Sequence, residues 1–393
     1  MSEQPQSLEA DEKIRESTRG LLSWVELSRS AFHRNVEIFR AILGRSELWP
    51  VLKANAYGHG IRECAEILAP LANGIAVFNM DEASLLRSIH PALPILVLGP
   101  TPIERIAEAV KSTIQITASS IHLLRSMAGT GQPITVHLKL ETGTNRQGIR
   151  SKEIDEVNRI LGEHPQIFVE GIFTHFANIE DTTDHAFALS QLGRFQDMVQ
   201  RMPRFREKPK KLHTACSAAA LLFPEALFDL SRIGISIYGL WPSPQTKVSF
   251  KYRFPGRKPP SLTPVLSWKA RITQVREVPE GEYIGYSCSF RTTRPSRIGV
   301  LGIGYSDGYD RRLSNQAFVL VRGKRAPVRG KICMNMTMID LTDIPDALPG
   351  DEAVLIGQQD RDRVAAEDLA ALIGTINYEV VSRIGPHLPR IIV

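Results

Sequence analysis

Lys53 stands at the end of a short apolar run in the segment VLKANAYGHG, residues 51–60, and a polar turn follows it directly. An ammonium group in apolar surroundings is costly unless it is paired or used. A structural ion pair would satisfy this lysine, and so would a reaction that needs an amine nucleophile. Residues elsewhere in the chain must decide between these two interpretations.

Two later segments predict a phosphate site. Ser217 opens a probable helix, SAAALLF, and the hydroxyl and amide groups at a helix start favour an anion. Gly234, in the run LSRIGIS, lets backbone N–H groups approach a phosphate closely, although glycine is common in any tight turn. A lysine that faces a bound phosphate is the arrangement of a pyridoxal-phosphate Schiff base.

Four further polar residues lie near the ends of other predicted strands: Lys139 on the fifth strand and Arg146 in its loop, His175 on the sixth strand and Arg232 on the eighth. Each also has an ordinary structural interpretation. His175 could be a satisfied core histidine, and Arg232 could hold a carboxylate instead of a cofactor. These residues indicate a functional site only if the fold brings their side chains together.

Strands and helices alternate along the first two thirds of the chain. Strands are predicted at 51–54, 75–79, 94–99, 114–119, 134–140, 168–176, 211–217 and 230–236. This alternation indicates a parallel sheet, and eight units of this length fit a closed (β/α)₈ TIM barrel, with a doubly wound open sheet as the alternative. A barrel gathers the C-terminal ends of its strands, where Lys53, Ser217 and Gly234 would meet.

The chain is predicted to have three parts. Residues 1–22 are a polar leader expected to be flexible, residues 23–250 form the barrel, and residues 265–393 form a smaller mainly-β domain. The proline-rich segment FPGRKPPSLTP, residues 254–264, reads as a stiff linker between the last two parts.

Composition limits the partners. The net charge is +6, but the densest basic run, residues 206–211, has no interleaved aromatic residues and is interpreted as a solvated surface. No apolar stretch approaches the roughly 20 residues of a membrane helix. The four cysteines lie far apart and form no metal-binding pattern with histidine. We therefore expect a cytoplasmic protein that binds neither nucleic acid, membrane nor metal.

The segment VLKANAYGHG resembles the pyridoxal-phosphate lysine motif of bacterial alanine racemases. Further matching segments follow in the family's order: LKLETGTNRQG, THFA, SRIGISIYGL, YIGYSCSF, GIGYSDGY, KICMN and TINYE. The resemblance runs from residue 24 to residue 390. It implies a barrel plus a β domain that strand 23–27 joins, in a head-to-tail homodimer with shared active sites. The implied activity interconverts L-alanine and D-alanine and supplies D-alanine for peptidoglycan.

The resemblance also assigns the cofactor residues. Lys53 would bind pyridoxal 5'-phosphate covalently and act as one of two bases, and Arg232 would face the pyridine nitrogen. The partner subunit's Tyr286 would be the second base. The cofactor phosphate would be held by Tyr57, Ser217, Gly234, Ile235 and Tyr378.

The remaining assignments concern the substrate. Arg146 and the backbone of Met334 would bind its carboxylate, and His175 would lie beside the second base. Tyr305 would stand in the gate of the substrate channel. Lys139 matches a position that is carbamylated in many family members, where the new carboxylate steadies the arginine that matches Arg146.

Racemisation needs a base on each face of the substrate, and free lysine and tyrosine have pKa values of about 10, too high for work near neutrality. Both pKa values must therefore be lowered, by the cofactor environment and by nearby arginines. Arg232 has donors only, so it should keep the pyridine nitrogen unprotonated and suppress transamination.

Four other functions are also compatible with parts of the sequence. A pyridoxal-phosphate decarboxylase of the same architecture would place an acid at the position of Arg232. A cofactor-carrying homeostasis protein would lack residues beyond Pro264, and a phosphate-binding barrel enzyme would use Lys53 structurally. A racemase with broader specificity would also accept serine.

Five positions depart from the family's usual pattern without removing a catalytic group. They are Glu141, Gln147, Cys216, Lys331 and Asn335.

Overall fold

The computed structural model of the chain describes residues 14, 16–202 and 211–393. Most of the predicted leader, residues 1–13 and 15, lies outside the described residues, and so does the basic run at 206–211 except for Lys211. The chain divides into two compact units. The barrel unit comprises Phe32–Ala54 and Cys64–Thr263, and the β-rich unit comprises the chain up to Ala31, Asn55–Glu63 and Pro264–Val393.

The strands of the described residues are numbered in chain order. They are β1 (Ser23–Leu27), β2 (Glu47–Pro50), β3 (Ile75–Val77), β4 (Ile95–Val97), β5 (Gln115–Ala118), β6 (Ile134–Lys139), β7 (Ile167–Phe173), β8 (Leu212–His213), β9 (Leu230–Ile233), β10 (Leu266–Val278), β11 (Ser296–Leu301), β12 (Phe318–Val321), β13 (Lys324–Pro327), β14 (Thr337–Asp340), β15 (Glu352–Gln359), β16 (Asp362–Val364) and β17 (Arg390–Ile392).

The right-handed α-helices are numbered in the same way. They are α1 (Arg29–Leu43), α2 (Ile61–Leu68), α3 (Met80–Ile89), α4 (Ile106–Lys111), α5 (Ile121–Gly129), α6 (Ile154–Glu163), α7 (Ala186–Gln200), α8 (Ser217–Leu222), α9 (Pro244–Arg253), α10 (Ala366–Ile373) and α11 (Asn377–Ser382). In the part of the chain that the structure describes, no helix is long and apolar enough to cross a membrane.

The barrel unit is a closed ring of parallel strands. Strands β3 to β8 pair in sequence order, and β2 pairs with β9. The ring closes where Leu52 N donates to Ala76 O over 2.8 Å and where Asp229 N donates to Leu212 O over 3.0 Å. The predicted TIM barrel is therefore confirmed, and the open-sheet alternative is not.

Local sequence explains the helices that surround this ring. In α1, Phe32, Val36 and Phe39 lie on one face and are fully buried, as the helical period of the apolar residues predicts. Helix α3 begins after Asn79, whose side chain accepts a hydrogen bond from Glu82 N. This cap fixes where α3 begins and therefore limits the length of the loop between β3 and α3.

The predicted strand at 51–54 is wrong. Strand β2 ends at Pro50, and the four residues after Lys53 have φ values of +54°, +52°, +54° and +55°. They form a left-handed turn, Ala54–Tyr57, which costs an L-residue about 1–2 kcal/mol at each position. A turn of this kind persists only when surrounding contacts stabilise it.

The β-rich unit contains one large sheet, in the order β13-β12-β15-β10-β1-β17. Strand β11 pairs with β10 and β14, and β16 pairs with β15. Strand β1 lies between β10, to which it is antiparallel, and β17, to which it is parallel. Trp24, Trp268 and Tyr309 are almost completely buried in this unit. The prediction of a smaller mainly-β domain after the barrel is confirmed.

Candidate active site

The structure places seven of the predicted site residues in the barrel unit, close to the C-terminal ends of strands. They are Lys53 after β2, Lys139 at the end of β6, Arg146 in the loop that follows, His175 after β7, Ser217 at the start of α8, and Arg232 and Gly234 at the end of β9. Ile235 follows Gly234 at the start of a 3₁₀ turn, Ile235–Tyr238. The barrel thus brings together the cationic and anion-binding candidates at one mouth.

Lys53 is exposed, yet the surrounding protein lowers its pKa below the ordinary value of lysine. Loss of water is the main cause, and the positive charge of Arg146 acts in the same direction. Glu180, Glu82 and Cys216 act in the opposite direction with smaller effects. A lowered pKa increases the fraction of neutral amine, which is the nucleophilic form.

Arg232 is buried, and its guanidinium group donates to backbone and imidazole acceptors of the barrel unit. Its Nη1 donates to His213 O over 3.0 Å and its Nη2 donates to Thr174 O over 2.8 Å. The guanidinium carbon lies 5.0 Å from the centre of the Phe173 ring. The hydrogen-bond partners of Arg232 among the described residues are His213, Thr174 and Thr214, and none of them is an acid. Burial lowers its pKa to about 10, so the group remains a cation at neutral pH.

A chain of hydrogen bonds runs from Arg232 through the barrel interior. Arg232 Nη1 contacts His213 Nδ1, His213 Nε2 lies 2.8 Å from His137 Nδ1, and His137 Nε2 lies 2.8 Å from Gln115 Oε1. Because a guanidinium only donates, His213 Nδ1 must accept, and each following imidazole must then carry its proton on Nε2. Arg232 therefore donates to His213, His213 donates to His137, and His137 donates to the amide oxygen of Gln115.

The imidazoles of His137 and His213 are both neutral. Burial lowers the pKa of His137 to about 3, helped by the positive charges of Lys211 and Arg232. Burial and Arg232 also hold the pKa of His213 well below the ordinary range. Sequence motifs do not identify His137, His213 and Gln115 as site residues, because the only signal of each is a polar residue inside an otherwise apolar strand.

Ser217 and the loop after β9 form a compact polar cradle. Ser217 Oγ accepts hydrogen bonds from Gly234 N over 3.0 Å and from Ser236 N over 3.3 Å. The Ser236 hydroxyl is buried and has no hydrogen-bond partner among the described residues. A buried donor without a partner is costly, and an anionic oxygen would satisfy it.

Lys139 is buried at the end of β6. Its Nζ lies 5.7 Å from the centre of the Phe173 ring. Burial lowers its pKa to about 7, and Arg146 and Arg232 contribute in the same direction. A substantial fraction of its amine is therefore neutral near pH 7.

His175 is half-buried, and burial together with Arg232 holds its pKa well below the ordinary range. Its carbonyl oxygen accepts from Thr144 Oγ1 over 2.8 Å and from Gln191 Nε2 over 3.3 Å. The described imidazole that contacts Arg232 is that of His213, not that of His175.

Residues at positions that depart from the family's usual pattern have defined contacts. Glu141 Oε1 accepts from Gly143 N over 2.6 Å and Oε2 accepts from Arg146 N over 3.3 Å, so this carboxylate shapes the loop of Arg146. Burial raises the pKa of the Cys216 thiol to about 11, with Glu180 as a further cause. Cys216 is therefore a neutral thiol at neutral pH.

The β-rich unit carries the five other predicted residues. The rings of Tyr57 and Tyr378 lie 6.0 Å apart, centre to centre. Tyr305 N donates to Cys333 O over 3.0 Å, which places Tyr305 beside the segment of Met334.

Tyr286 begins a short turn, Tyr286–Cys288, and has 68% of its surface exposed. Met334 and Met336 are exposed on the same unit.

Pyridoxal phosphate fits the residues of the barrel unit. Lys53 offers an amine with a lowered pKa, Ser236 offers a buried hydroxyl without a partner among the described residues, and Arg232 offers a cation whose described partners include no acid. In the described ranges, no group of three His, Cys, Asp or Glu side chains is placed to hold a metal ion.

Comparisons with known proteins cover nearly the whole chain. Residues 27–242 match the family described as alanine racemase, N-terminal domain, and residues 265–392 match alanine racemase, C-terminal domain. An alanine racemase of Leptospira interrogans is 38% identical over 375 residues, which is 94% of this chain and 96% of the relative. An alanine racemase of Desulfovibrio desulfuricans is 38% identical over 94% of this chain and 98% of its own length.

Solved structures similar to this chain are also alanine racemases. The alanine racemase of Bacillus anthracis with bound L-Ala-P is 33% identical, with a TM-score of 0.86 over 95% of each chain. The alanine racemase of Streptomyces coelicolor is 32% identical, with a TM-score of 0.87 over 96% of this chain and 99% of its own.

Proposed function

Because the chain belongs to the alanine racemase family, we propose that it is a pyridoxal-phosphate-dependent isomerase that interconverts L-alanine and D-alanine. The observation that carries the proposal is Arg232, a buried cation whose described partners include no acid. It lies in the same barrel mouth as an amine whose pKa is lowered. In the cell, this activity would supply D-alanine for peptidoglycan.

Pyridoxal phosphate, when bound, accepts electron density from the substrate as the proton on Cα leaves. Lys53 would hold its aldehyde carbon, and Arg232 would face its pyridine nitrogen. The phosphate would be held by Tyr57, Ser217, Gly234, Ile235 and Tyr378. The unpartnered hydroxyl of Ser236 supports an anion at this place.

Two bases complete the proposal. Lys53 Nζ would hold and return the proton on one face of the substrate, and its lowered pKa supports a neutral, proton-accepting amine. The partner subunit's Tyr286 would do the same on the other face through its phenolic oxygen. The barrel unit would thus provide one base, and the β domain at residues 265–393 would provide the other.

Arg232 distinguishes a racemase from a decarboxylase. A guanidinium cannot accept a proton from a ring nitrogen, and its positive charge disfavours a protonated nitrogen beside it. His213, which accepts from Arg232 and is neutral, does not reduce this charge. A weak electron sink favours returning the proton to Cα, the outcome that racemisation requires.

Arg146 and the Met334 backbone would bind the substrate carboxylate, with His175 beside the second base and Tyr305 in the gate. Lys139 would be carbamylated. Its neutral amine would form an N–C bond with carbon dioxide and release one proton to water, which leaves a carboxylate. The supporting observations are its burial and a pKa of about 7.

The proposed assembly is a homodimer with shared sites, located in the cytoplasm. The exposed side chains of Tyr286, Met334 and Met336 support a covered surface on the β-rich unit. All four cysteines are free thiols, which supports a reducing compartment.

A visible spectrum and an assay of the purified full chain test the proposed function. We expect the absorbance of lysine-bound pyridoxal phosphate and the conversion of L-alanine to D-alanine, both lost in Lys53→Ala. Release of carbon dioxide instead of D-alanine would favour the decarboxylase. Retention of both signals in Lys53→Ala would contradict the proposed role of the lysine. A parallel assay with L-serine defines the substrate range.

A further inference from the structure

The left-handed turn Ala54–Tyr57 begins immediately after Lys53. Two of its residues are alanines, which have no intrinsic preference for positive φ. The N–H of Ala54, the first residue of this turn, lies in the same rigid peptide plane as the carbonyl group and Cα of Lys53, so a contact that holds this N–H also holds that side of the Lys53 backbone. Contacts from outside the turn must therefore hold its first residue in place.

Glu82 provides such a contact. Its Oε1 accepts a hydrogen bond from Ala54 N over 2.6 Å, and its Oε2 accepts one from Phe78 N over 2.8 Å. Phe78 directly follows β3, so one carboxylate joins the end of a barrel strand to the residue after Lys53. Hydrogen bonds to an ionised acceptor are stronger than neutral ones.

The backbone of Glu82 is itself fixed. Glu82 lies in the first turn of α3, and its N–H donates to Asn79 Oδ1 over 2.9 Å. Both carboxylate oxygens are used by backbone donors, so the side chain has a defined orientation. The first turn of a helix also favours a negative charge.

We propose that Glu82 is a positioning residue for Lys53, which holds the first amide of the left-handed turn and places a negative charge beside the lysine. This inference rests on the proposed function, because it assigns the lysine its reaction. Four charged or titratable groups act on Lys53: Arg146, Glu180, Glu82 and Cys216. Of these, Glu82 also holds the adjoining backbone.

Three variants separate geometry from charge. Glu82→Gln removes the charge and one of the two acceptors, whereas Glu82→Asp keeps the charge but is too short to reach both amides. Asp81→Asn is the matched control, because Asp81 is the neighbouring carboxylate and its described partner is Arg105 on the surface. Each full-length variant is titrated with pyridoxal phosphate, and the absorbance of the lysine adduct gives its affinity. The adduct is also followed against pH with pyridoxal, which lacks the phosphate.

The expected results differ among the variants. Glu82→Gln and Glu82→Asp should bind pyridoxal phosphate at least about tenfold more weakly, the factor for losing one charge-assisted hydrogen bond. Glu82→Gln should also shift the midpoint pH of the pyridoxal adduct downward, because a nearby anion no longer stabilises the ammonium form. Glu82→Asp should shift it less, and Asp81→Asn should match the wild type in both measurements.

Several results would overturn the inference. Unchanged affinity and midpoint in a folded Glu82→Gln protein would show that the carboxylate does not position Lys53. A loss of thermal stability alone, without either change, would show a purely structural role. If Glu82→Gln fails to fold, unchanged affinity in Glu82→Asp decides against the proposal. A wild-type chain that forms no adduct at Lys53 would instead refute the proposed function, and this inference with it.

Discussion

His213 Nε2 and His137 Nδ1 lie 2.8 Å apart inside the barrel and share one proton, which belongs to His213. The assignment follows from Arg232, whose donor-only guanidinium occupies the other nitrogen of His213. A second proton on His213 would bring an N–H against the N–H of Arg232. The two imidazoles next to Arg232 therefore stay neutral and add no charge to that of the guanidinium.

This relationship predicts how stability depends on pH. The pKa of His137 is about 3 and that of His213 is well below the ordinary range, whereas an unfolded histidine titrates near pH 6.5. Between about pH 6.5 and 3 the unfolded chain binds more protons, so the free energy of unfolding should decrease as pH falls. The slope should reach at most about 1.4 kcal/mol per pH unit for each histidine.

Urea unfolding at several pH values measures this slope. His137→Gln should reduce it, and His33→Gln, a change at an exposed position, should leave it unchanged. A slope of zero across this range would contradict the neutral assignment of both imidazoles.

Tyr286→Phe should keep the cofactor, because the ring is retained, and should reduce racemisation in both directions by at least ~10²-fold, since a positioned proton-transfer group is removed. Tyr283→Phe is the matched control in the same segment and should keep its rate, because Tyr283 has no proposed role. Rates and absorbance of both variants are measured from L-alanine and from D-alanine. A near-normal Tyr286→Phe enzyme would assign the second proton transfer to another group.

Arg232→Glu should yield a slower and less specific enzyme. A carboxylate opposite the pyridine nitrogen would favour its protonation and strengthen the electron sink, which promotes transamination. The amount of pyruvate formed per alanine racemised should rise. Arg232→Ala controls for the lost contacts to His213 and Thr174. A ratio no higher in the glutamate variant than in the alanine variant would show that Arg232 only positions the ring.

Lys139 should carry a carbamate that depends on pH and on carbon dioxide. With a pKa of about 7, its neutral amine falls roughly tenfold for each pH unit below that value. Carbon-13 NMR with labelled bicarbonate should show a carbamate signal that Lys139→Ala lacks. Lys211→Ala, at a lysine paired with Glu47, should retain the signal. A spectrum without the signal in the wild type would contradict the modification.

The order of the barrel strands was predictable from the sequence, because apolar periodicity and the alternation of strands with helices define a barrel. That architecture alone places Lys53, Ser217 and Gly234 at one mouth. The end of the first barrel strand was not predictable, since β2 ends at Pro50 and not at Ala54. The left-handed turn was not predictable, since Ala54 and Ala56 carry no preference for positive φ and depend on a distant carboxylate. Glu82 resembled an ordinary acidic residue in the first turn of a helix.

The hydrogen-bond chain was hidden for a different reason. Gln115, His137 and His213 come from three strands, and their contacts exist only in the register of the closed ring. In one strand alone, each reads as an isolated polar residue. The pattern of residues along one strand does not show which residues of neighbouring strands lie opposite each other.

The pairing of β1 also dictates an order of folding. This strand is synthesised long before its two neighbours, since Val25 lies opposite Trp268 on one side and Arg390 on the other. All five of its residues are buried in the finished sheet. Until both neighbours have been synthesised, the backbone N–H and C=O groups on both edges of β1 have no strand to pair with. Unpaired strands of this kind associate with other chains. A nascent chain stalled before β10 should consequently be the species of this protein that most needs a chaperone.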